Sequence, residues 1–447
     1  MQTTGPITLA SYMRMCLTSD VGGYYTGALE EGRDQFGRKG DFITSPEISQ
    51  VFGELIGIWF VAEWMSQGKP KQGVELVEVG PGRGTLMDDM LRTIRNFPDM
   101  AGSIDAVYMV EASRELRIAQ KNLLCGEDAP MSESKSGYHS TCKYLDVPIV
   151  WMETIRSLPR DPNRTPFIVA HEFFDALPIH AFQVVEVPPP QQTTPSPSNS
   201  RAAPSEPKSP TLQWREMVVA PTPLGSTHTS LGTPKSEQHS GPPPEFQLTL
   251  SPTSTRHALY LPESSPRYRV LKSTPTSLIE VCPDASLYAS NFAARIGGSP
   301  QHPKPKPSGA ALILDYGPAN TIPVNSLRGI RKHQRVSPFS EPGLVDLSAD
   351  VDFMGIAEAA MKSSEGVEVH GPVEQSDFLE AMGIRQRAEM LVKKAGDGAR
   401  AREIEGAWKR LVDRTPGGMG KVYKALAILP ENGGKRRPVG FGGDIGG

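Results

Sequence analysis

The sequence predicts a doubly wound α/β fold, and three stretches carry that prediction. Val74, Leu76, Val77 and Val79 form an apolar strand pattern ending in Gly80-Pro81-Gly82-Arg83-Gly84, and a helical pattern (Leu86, Met90, Leu91, Ile94) starts at Thr85. Strand, glycine turn and helix, in that order, open the nucleotide-binding half of a doubly wound sheet. Residues 104–110 read as the next strand, with Glu111 at its end. Phe167-Ile168-Val169-Ala170 reads as a third, buried strand, and His171-Glu172-Phe173-Phe174-Asp175 follows it directly.

The remaining elements follow in chain order. Residues 7–17 predict a short amphipathic helix with Thr8 near its start, and Gly22-Gly23-Tyr24-Tyr25 predicts a loop. A long helix is expected from Ser45, with Ser45 as N-cap, Pro46 at the first helical position and Glu47 at the positive end. Ile48, Val51, Phe52, Leu55 and Trp59 would give it one apolar face. The stretches 188–210 and 221–266 are rich in Pro, Ser and Thr and read as disordered insertions. Between them, 212–219 reads as an isolated strand of the core. Order returns with a strand at 277–283, a helix at 284–296 and an apolar strand at 310–317 that ends in an acid, Asp315. Helices are expected at 351–361 and 388–411, a last strand at 422–429, and a loose glycine-rich tail from 433. The organisation is therefore an N-terminal helical or lid region (1–70), a first core part (71–187), the insertions (188–266), a second core part with the substrate region (267–430) and a flexible tail (431–447).

Composition excludes several classes. A net charge of −3 and an isoelectric point near 6.3 leave no basic footprint for nucleic acid. Cys16, Cys125, Cys142 and Cys282 form no C-x-x-C pair, so neither a zinc ribbon nor a disulfide framework is indicated. No apolar run is long enough to span a membrane. No signal peptide or Arg-rich transit segment is visible at the start.

The glycine turn also selects its ligand. A dinucleotide fingerprint needs a third glycine where Thr85 stands, and Pro81 removes an N–H that a pyrophosphate would use. Glu78, at the mouth of the turn, repels phosphate and suits a cation. S-adenosylmethionine has no phosphate and carries a sulfonium and an ammonium, so the turn favours it over NAD. Gly80, Pro81, Gly82 and Gly84 would lie against it as bare backbone. Glu111 would accept the ribose hydroxyls or, in the plainer alternative, favour a helix N-terminus. The segment after 170 would lie beside the glycine turn, which makes Glu172 and Asp175 candidates for handling the substrate. His171-Glu172-x-x-Asp175 is no zinc motif, because its fifth residue is Asp and it follows a strand. His171 and His180 are expected to be hydrogen-bonded structural residues.

Four separated motifs resemble the MidA family: residues 40–49 (GDFITSPEIS), 77–86 (VEVGPGRGTL), 170–178 (AHEFFDALP) and 347–353 (LSADVDF). The resemblance runs from about residue 5 to 430, apart from the Pro-rich stretches. It implies a seven-stranded S-adenosylmethionine-dependent methyltransferase sheet. It also implies symmetric dimethylation of an arginine on the 49-kDa-type core subunit of respiratory complex I, in the mitochondrial matrix, as part of complex I assembly. Arginine is a poor nucleophile because it stays protonated, with a pKa above about 12. Carboxylates can orient it, localise its charge and accept a proton. Glu172 is the first choice for that clamp and Asp175 the second, while Asp41 and Glu47 either contribute to substrate binding or brace the N-terminal loop and helix end. The alternatives are a non-catalytic assembly chaperone that retains the fold and an NAD-dependent oxidoreductase, which Thr85, Pro81 and Glu78 disfavour.

Overall fold

The computed structural model describes residues 5–26, 40–135, 137–188, 210–231, 234–235, 242–396 and 398–442. Its centre is a nine-stranded sheet in the order Val367–Glu374, Tyr423–Pro430, Ala310–Tyr316, Thr165–His171, Val74–Val79, Ile104–Val110, Pro148–Met152, Gly137–Thr141, Ser132–Ser134. The five strands from Ala310–Tyr316 to Pro148–Met152 are parallel, and the flanking strands are antiparallel. The resemblance implied seven strands. Two short ones, Ser132–Ser134 and Gly137–Thr141, extend one edge as an antiparallel ribbon.

Alternate residues of each central strand supply the two cores, as a buried parallel sheet requires. Leu76, Val107, Met109, Phe167, Val169 and Leu312 face one layer, built by helices Gln50–Ser66, Thr85–Ile94 and the C-terminal helices through Phe378, Ile384 and Leu411. Val77, Val79, Ile168, Ala170, Ala311 and Ile313 face the other, covered by Pro283–Gly297 and Phe353–Ser363. Sheet order reverses between Val74–Val79 and Thr165–His171, so the carboxyl ends of these strands frame the crevice where doubly wound folds bind ligands.

Several expectations are corrected. The helix expected from Ser45 is two: Ser45–Ile48, after Thr44, and Gln50–Ser66, which Ser49 caps through its hydroxyl at 3.3 Å from the Val51 N–H. The second is buried on nearly every side, with Ile56, Phe60, Val61 and Trp64 interior as well as the predicted stripe. The helix expected at 388–411 is split into Ile384–Ala395 and Ala399–Val412, because Gly396 (φ +71°) leaves helical geometry. Thr211–Pro221 joins a separate sheet, between His180–Val187 on one side and Phe246–Leu250 on the other. Most of 188–210 lies outside the described residues. Residues 242–266, expected to be disordered, form the Phe246–Leu250 strand and the Arg256–Tyr260 helix. Phe246 and Leu248 bury against Tyr12 and Val219, so a few well-spaced apolar groups offset the Pro-rich composition. The tail expected to be loose packs back as far as residue 442: the Trp59 indole N–H donates to Val439 O at 3.1 Å, and Phe441 lies against Phe378. No helix of the described residues is long and apolar enough to cross a membrane.

Candidate active site

The crevice is a cavity of about 1210 Å³ whose walls carry Glu78, the glycine turn, Glu111, Glu172 and Asp175. Glu78 sits at the end of its strand, 2% exposed, and its Oε2 has no hydrogen-bond partner among the described residues. Burial, then repulsion from Glu111, holds its carboxyl well above the usual carboxylate range. Gly80, Gly82 and Gly84 are all left-handed (φ +67°, +52° and +84°), and the turn closes by Gly84 N–H donating to Pro81 O at 2.8 Å. Gly80 answers to the protein as well as to a ligand, since a Cβ there would meet Phe173 Cδ2 at 2.5 Å.

Glu111 is buried just beyond the end of the neighbouring strand, and of the two roles considered for it the helix N-terminus contact is seen. Its Oε1 accepts the N–H of Ser113, the N-cap of helix Arg114–Cys125, at 2.8 Å. Its Oε2 faces Gln120 Nε2 at 3.3 Å. Burial pushes its carboxyl up to about 7. Gln120 went unnoticed in the sequence. Its amide N–H donates to Gly82 O at 2.6 Å, and its carbonyl accepts from the Trp151 indole, so it ties the glycine turn to Glu111. A lone Gln inside a helical pattern gives no signal of this kind.

Glu172 and Asp175 share the opposite wall. Glu172 has a left-handed backbone (φ +49°), a strained state for a residue with a Cβ, and such residues concentrate at functional sites. Its Oε1 is buried, 3.4 Å from His171 Nε2 but without a hydrogen bond among the described residues, and burial, then Asp175 and Asp315, hold its carboxyl well above the usual range. Asp175 Oδ2 accepts the Tyr316 hydroxyl, while its Oδ1 is buried without a partner. The Arg328 guanidinium stacks on Tyr316, 4.3 Å from the ring centroid, and pairs with Asp350 at 2.7 Å. Tyr316, Arg328 and Asp315 come from segments that carry no recognisable motif; the acid at the end of the 310–316 strand was the only visible hint.

The other predicted residues are placed differently. Both Asp41 carboxylate oxygens are engaged, Oδ2 by the Tyr24 hydroxyl and Oδ1 by the Lys332 N–H, each at 2.8 Å. Glu47 Oε2 accepts the Thr44 N–H at 3.1 Å, and its Oε1 lies 3.9 Å from Arg83 Nε in the glycine turn. His171 lines the cavity, but its buried Nε2 has no hydrogen-bond partner among the described residues, contrary to expectation, and burial lowers its pKa to about 3. His180 lies outside the cavity lining, with Nδ1 2.7 Å from Glu216 Oε1. Glu216 also accepts the Thr255 hydroxyl and faces His257 at 3.3 Å, a hydrogen-bonded cluster whose ligand atoms are already committed to one another.

A doubly wound sheet whose glycine turn and strand-end carboxylates line one cavity is the architecture of the nucleotide-cofactor-binding class. Residues 55–373 match the family described as "Putative S-adenosyl-L-methionine-dependent methyltransferase", and the chain belongs to that family. Its cofactor is S-adenosyl-L-methionine. The chain is 34% identical over 432 residues to a rat protein named protein arginine methyltransferase NDUFAF7, mitochondrial, covering 96% of this chain and 82% of that one. The human protein of the same name is 33% identical over 432 residues, covering 96% and 81%, and the Drosophila melanogaster homologue 33% over 434 residues, covering 96% and 82%. A Burkholderia thailandensis crystal structure bound to S-adenosyl-homocysteine shares the fold, with a TM-score of 0.64 at 20% identity, covering 99% of this chain and 90% of that one.

Proposed function

We propose that this chain is a protein-arginine N-methyltransferase that acts on complex I in the mitochondrial matrix, forming symmetric dimethylarginine on the 49-kDa-type core subunit. The names of its relatives support arginine as the acceptor and the mitochondrion as the place. The subunit and the symmetric product rest on the resemblance of the four motifs. One observation carries the reading most directly. Glu78, Glu172 and Asp175 line a single cavity, and each has a buried carboxylate oxygen without a hydrogen bond among the described residues, that of Glu172 lying 3.4 Å from His171 Nε2. Unpaired buried carboxylates are costly and imply cationic ligands.

The residues divide the work. Glu78 would take the cofactor's ammonium, the left-handed glycine turn would let it lie on bare backbone, and Glu111, whose Oε1 holds Ser113, would accept ribose hydroxyls. When bound, S-adenosylmethionine supplies an electrophilic methyl group. Glu172 pairs with the substrate guanidinium through its carboxylate, draws positive charge away from the attacking nitrogen and accepts the departing proton. Asp175, which already holds the Tyr316 hydroxyl and lies near Arg328, orients the far side of the guanidinium. Because burial raises the Glu172 pKa, this carboxyl keeps its proton until a cation arrives, so substrate binding releases a proton and transfer quickens as pH rises. Asp41 and Glu47, whose oxygens are engaged, serve to brace a lid formed by the N-terminal region, and Ile43, Pro46 and Glu47 line the cavity from that side.

The test is single-turnover transfer of labelled methyl by wild type and Glu172→Gln, with cofactor calorimetry and thermal unfolding alongside. Gln keeps the shape and loses the charge. Transfer should fall roughly 10²–10⁴-fold with cofactor affinity unchanged. A rate near wild type removes Glu172 from the clamp. A wild type that binds cofactor but never transfers methyl to arginine supports a chaperone that retains the fold.

A further inference from the structure

We propose that Asp315 is the positioning residue that sets the Glu172–Asp175 turn for methyl transfer. This rests on the reading of Glu172 and Asp175 as the guanidinium clamp. Asp315 is 0% exposed and does not line the cavity, so it acts through the turn and not on the substrate. Its Oδ2 accepts three successive backbone N–H groups, those of Phe173 (3.1 Å), Phe174 (2.8 Å) and Asp175 (3.4 Å). Its Oδ1 accepts its neighbour's, the Tyr316 N–H, at 3.0 Å. Consecutive N–H groups converging on one point form an anion-binding concavity. Here the acceptor is built in, a carboxyl delivered by the adjacent strand.

The turn needs that acceptor. At Glu172 the chain leaves its strand in a left-handed conformation, with the Glu172 N–H still bonded to Leu314 O at 3.0 Å. The next three N–H groups point away from the sheet ladder. Without Asp315 they would be buried and unpaired, at about 1–3 kcal/mol each. The geometry they fix is also the geometry of the site. It sets Glu172 and Asp175 in the cavity wall and lays the Phe173 ring against Gly80 and Tyr288, the latter at 4.8 Å between centroids. One buried carboxylate thereby sets the clamp and its distance from the glycine turn together.

The experiment compares full-length wild type, Asp315→Ala and Asp315→Asn. Three quantities are read: hydrogen exchange of the 171–177 peptide, single-turnover transfer resolved into kcat and KM for substrate, and cofactor affinity. Asp315→Ala should speed exchange in 171–177 selectively and lower kcat about 10²-fold, the loss expected when reacting groups shift by about an ångström. Cofactor affinity should stay within about threefold. Asp315→Asn retains an oxygen for the Phe173 and Phe174 donors and should recover most of the lost rate. A purely structural role would instead lower Tm and leave kcat per folded molecule unchanged, which overturns the proposal. Unchanged exchange in 171–177 also overturns it. If Asp315→Ala does not fold, Asp315→Leu, of similar size and without an acceptor, is read by the same exchange measurement, with faster exchange in 171–177 expected and unchanged exchange overturning the proposal. A wild type that transfers no methyl refutes the function, whereas exchange reports on Asp315 separately.

Discussion

Replacing Glu111 by Gln should make the unliganded protein more stable at alkaline pH while weakening its hold on the cofactor. The Glu111 carboxyl is buried, and its pKa rises from 4.5 to about 7. The sign follows from proton uptake. Between roughly pH 4.5 and 7 the folded chain holds a proton here that the unfolded chain has released, so this group's contribution to stability is present below 4.5 and is lost as pH rises to about 7. At about 1.4 kcal/mol per unit, the ionised site is roughly 3 kcal/mol less favourable in the folded state above pH 7. Gln removes that charge. Its carbonyl can still accept the Ser113 N–H, but its NH₂ then faces the Gln120 amide, two donors together, at a cost of about 1 kcal/mol. A net gain of about 2 kcal/mol remains at pH 8 and turns into a net loss of about 1 kcal/mol below pH 4.5, where only the facing donors count. Cofactor affinity should move the other way, by roughly tenfold to a hundredfold, as a charged acceptor for two ribose hydroxyls becomes neutral. Thermal unfolding at pH 4.5 and pH 8, with calorimetry against S-adenosylmethionine, reads both effects. A variant less stable than wild type at pH 8, or one that binds cofactor equally well, would refute this account of Glu111.

Two further outcomes follow from local geometry. Gly82→Val should abolish measurable cofactor binding, because its side chain occupies the space over the turn; the left-handed φ of +52° adds about 1–2 kcal/mol of strain, so calorimetry must be run well below the variant's Tm. Retained affinity within about threefold of wild type would contradict it. Replacing 190–209 with a short turn should leave activity intact, since Val187 and Thr211 already pair across the two strands the segment joins. Shortening a loop from about 20 to about 4 residues gains on the order of 1 kcal/mol in closure entropy, so a sharp fall in Tm would show that the segment packs.

The parts of the fold legible in the sequence are those where period and punctuation agree. Val74–Val79, its glycine turn and helix Thr85–Ile94 were readable because alternation, positive-φ glycines and a 3.6-residue repeat follow one another without a gap. Glu78, Glu111, Glu172 and Asp175 were visible because each stands at or just beyond a strand's carboxyl end, and the structure brings all four to one cavity. What escaped depends on partners distant in sequence. The fold of 242–266 relies on Tyr12 and Val219, which composition over a local window cannot register. The tail is held through Trp59, some 380 positions away. For Asp41 the sequence leaves substrate binding and loop bracing equally open, and its bonds to the Tyr24 hydroxyl and the Lys332 N–H depend on a partner some 290 positions away. Asp315 and Gln120 act through the backbone of other segments, a role that leaves no pattern around either residue.

The central claim, arginine methylation of a complex I subunit, is tested most directly by mass spectrometry of complex I core subunits from cells that lack this protein and from the same cells re-expressing it or its Glu172→Gln variant. The account predicts that one arginine of the 49-kDa-type subunit loses a mass of two methyl groups in the deficient cells. The wild-type chain should restore that mass, and the variant should not. An arginine dimethylated equally in all three, or restored by the variant, would contradict it.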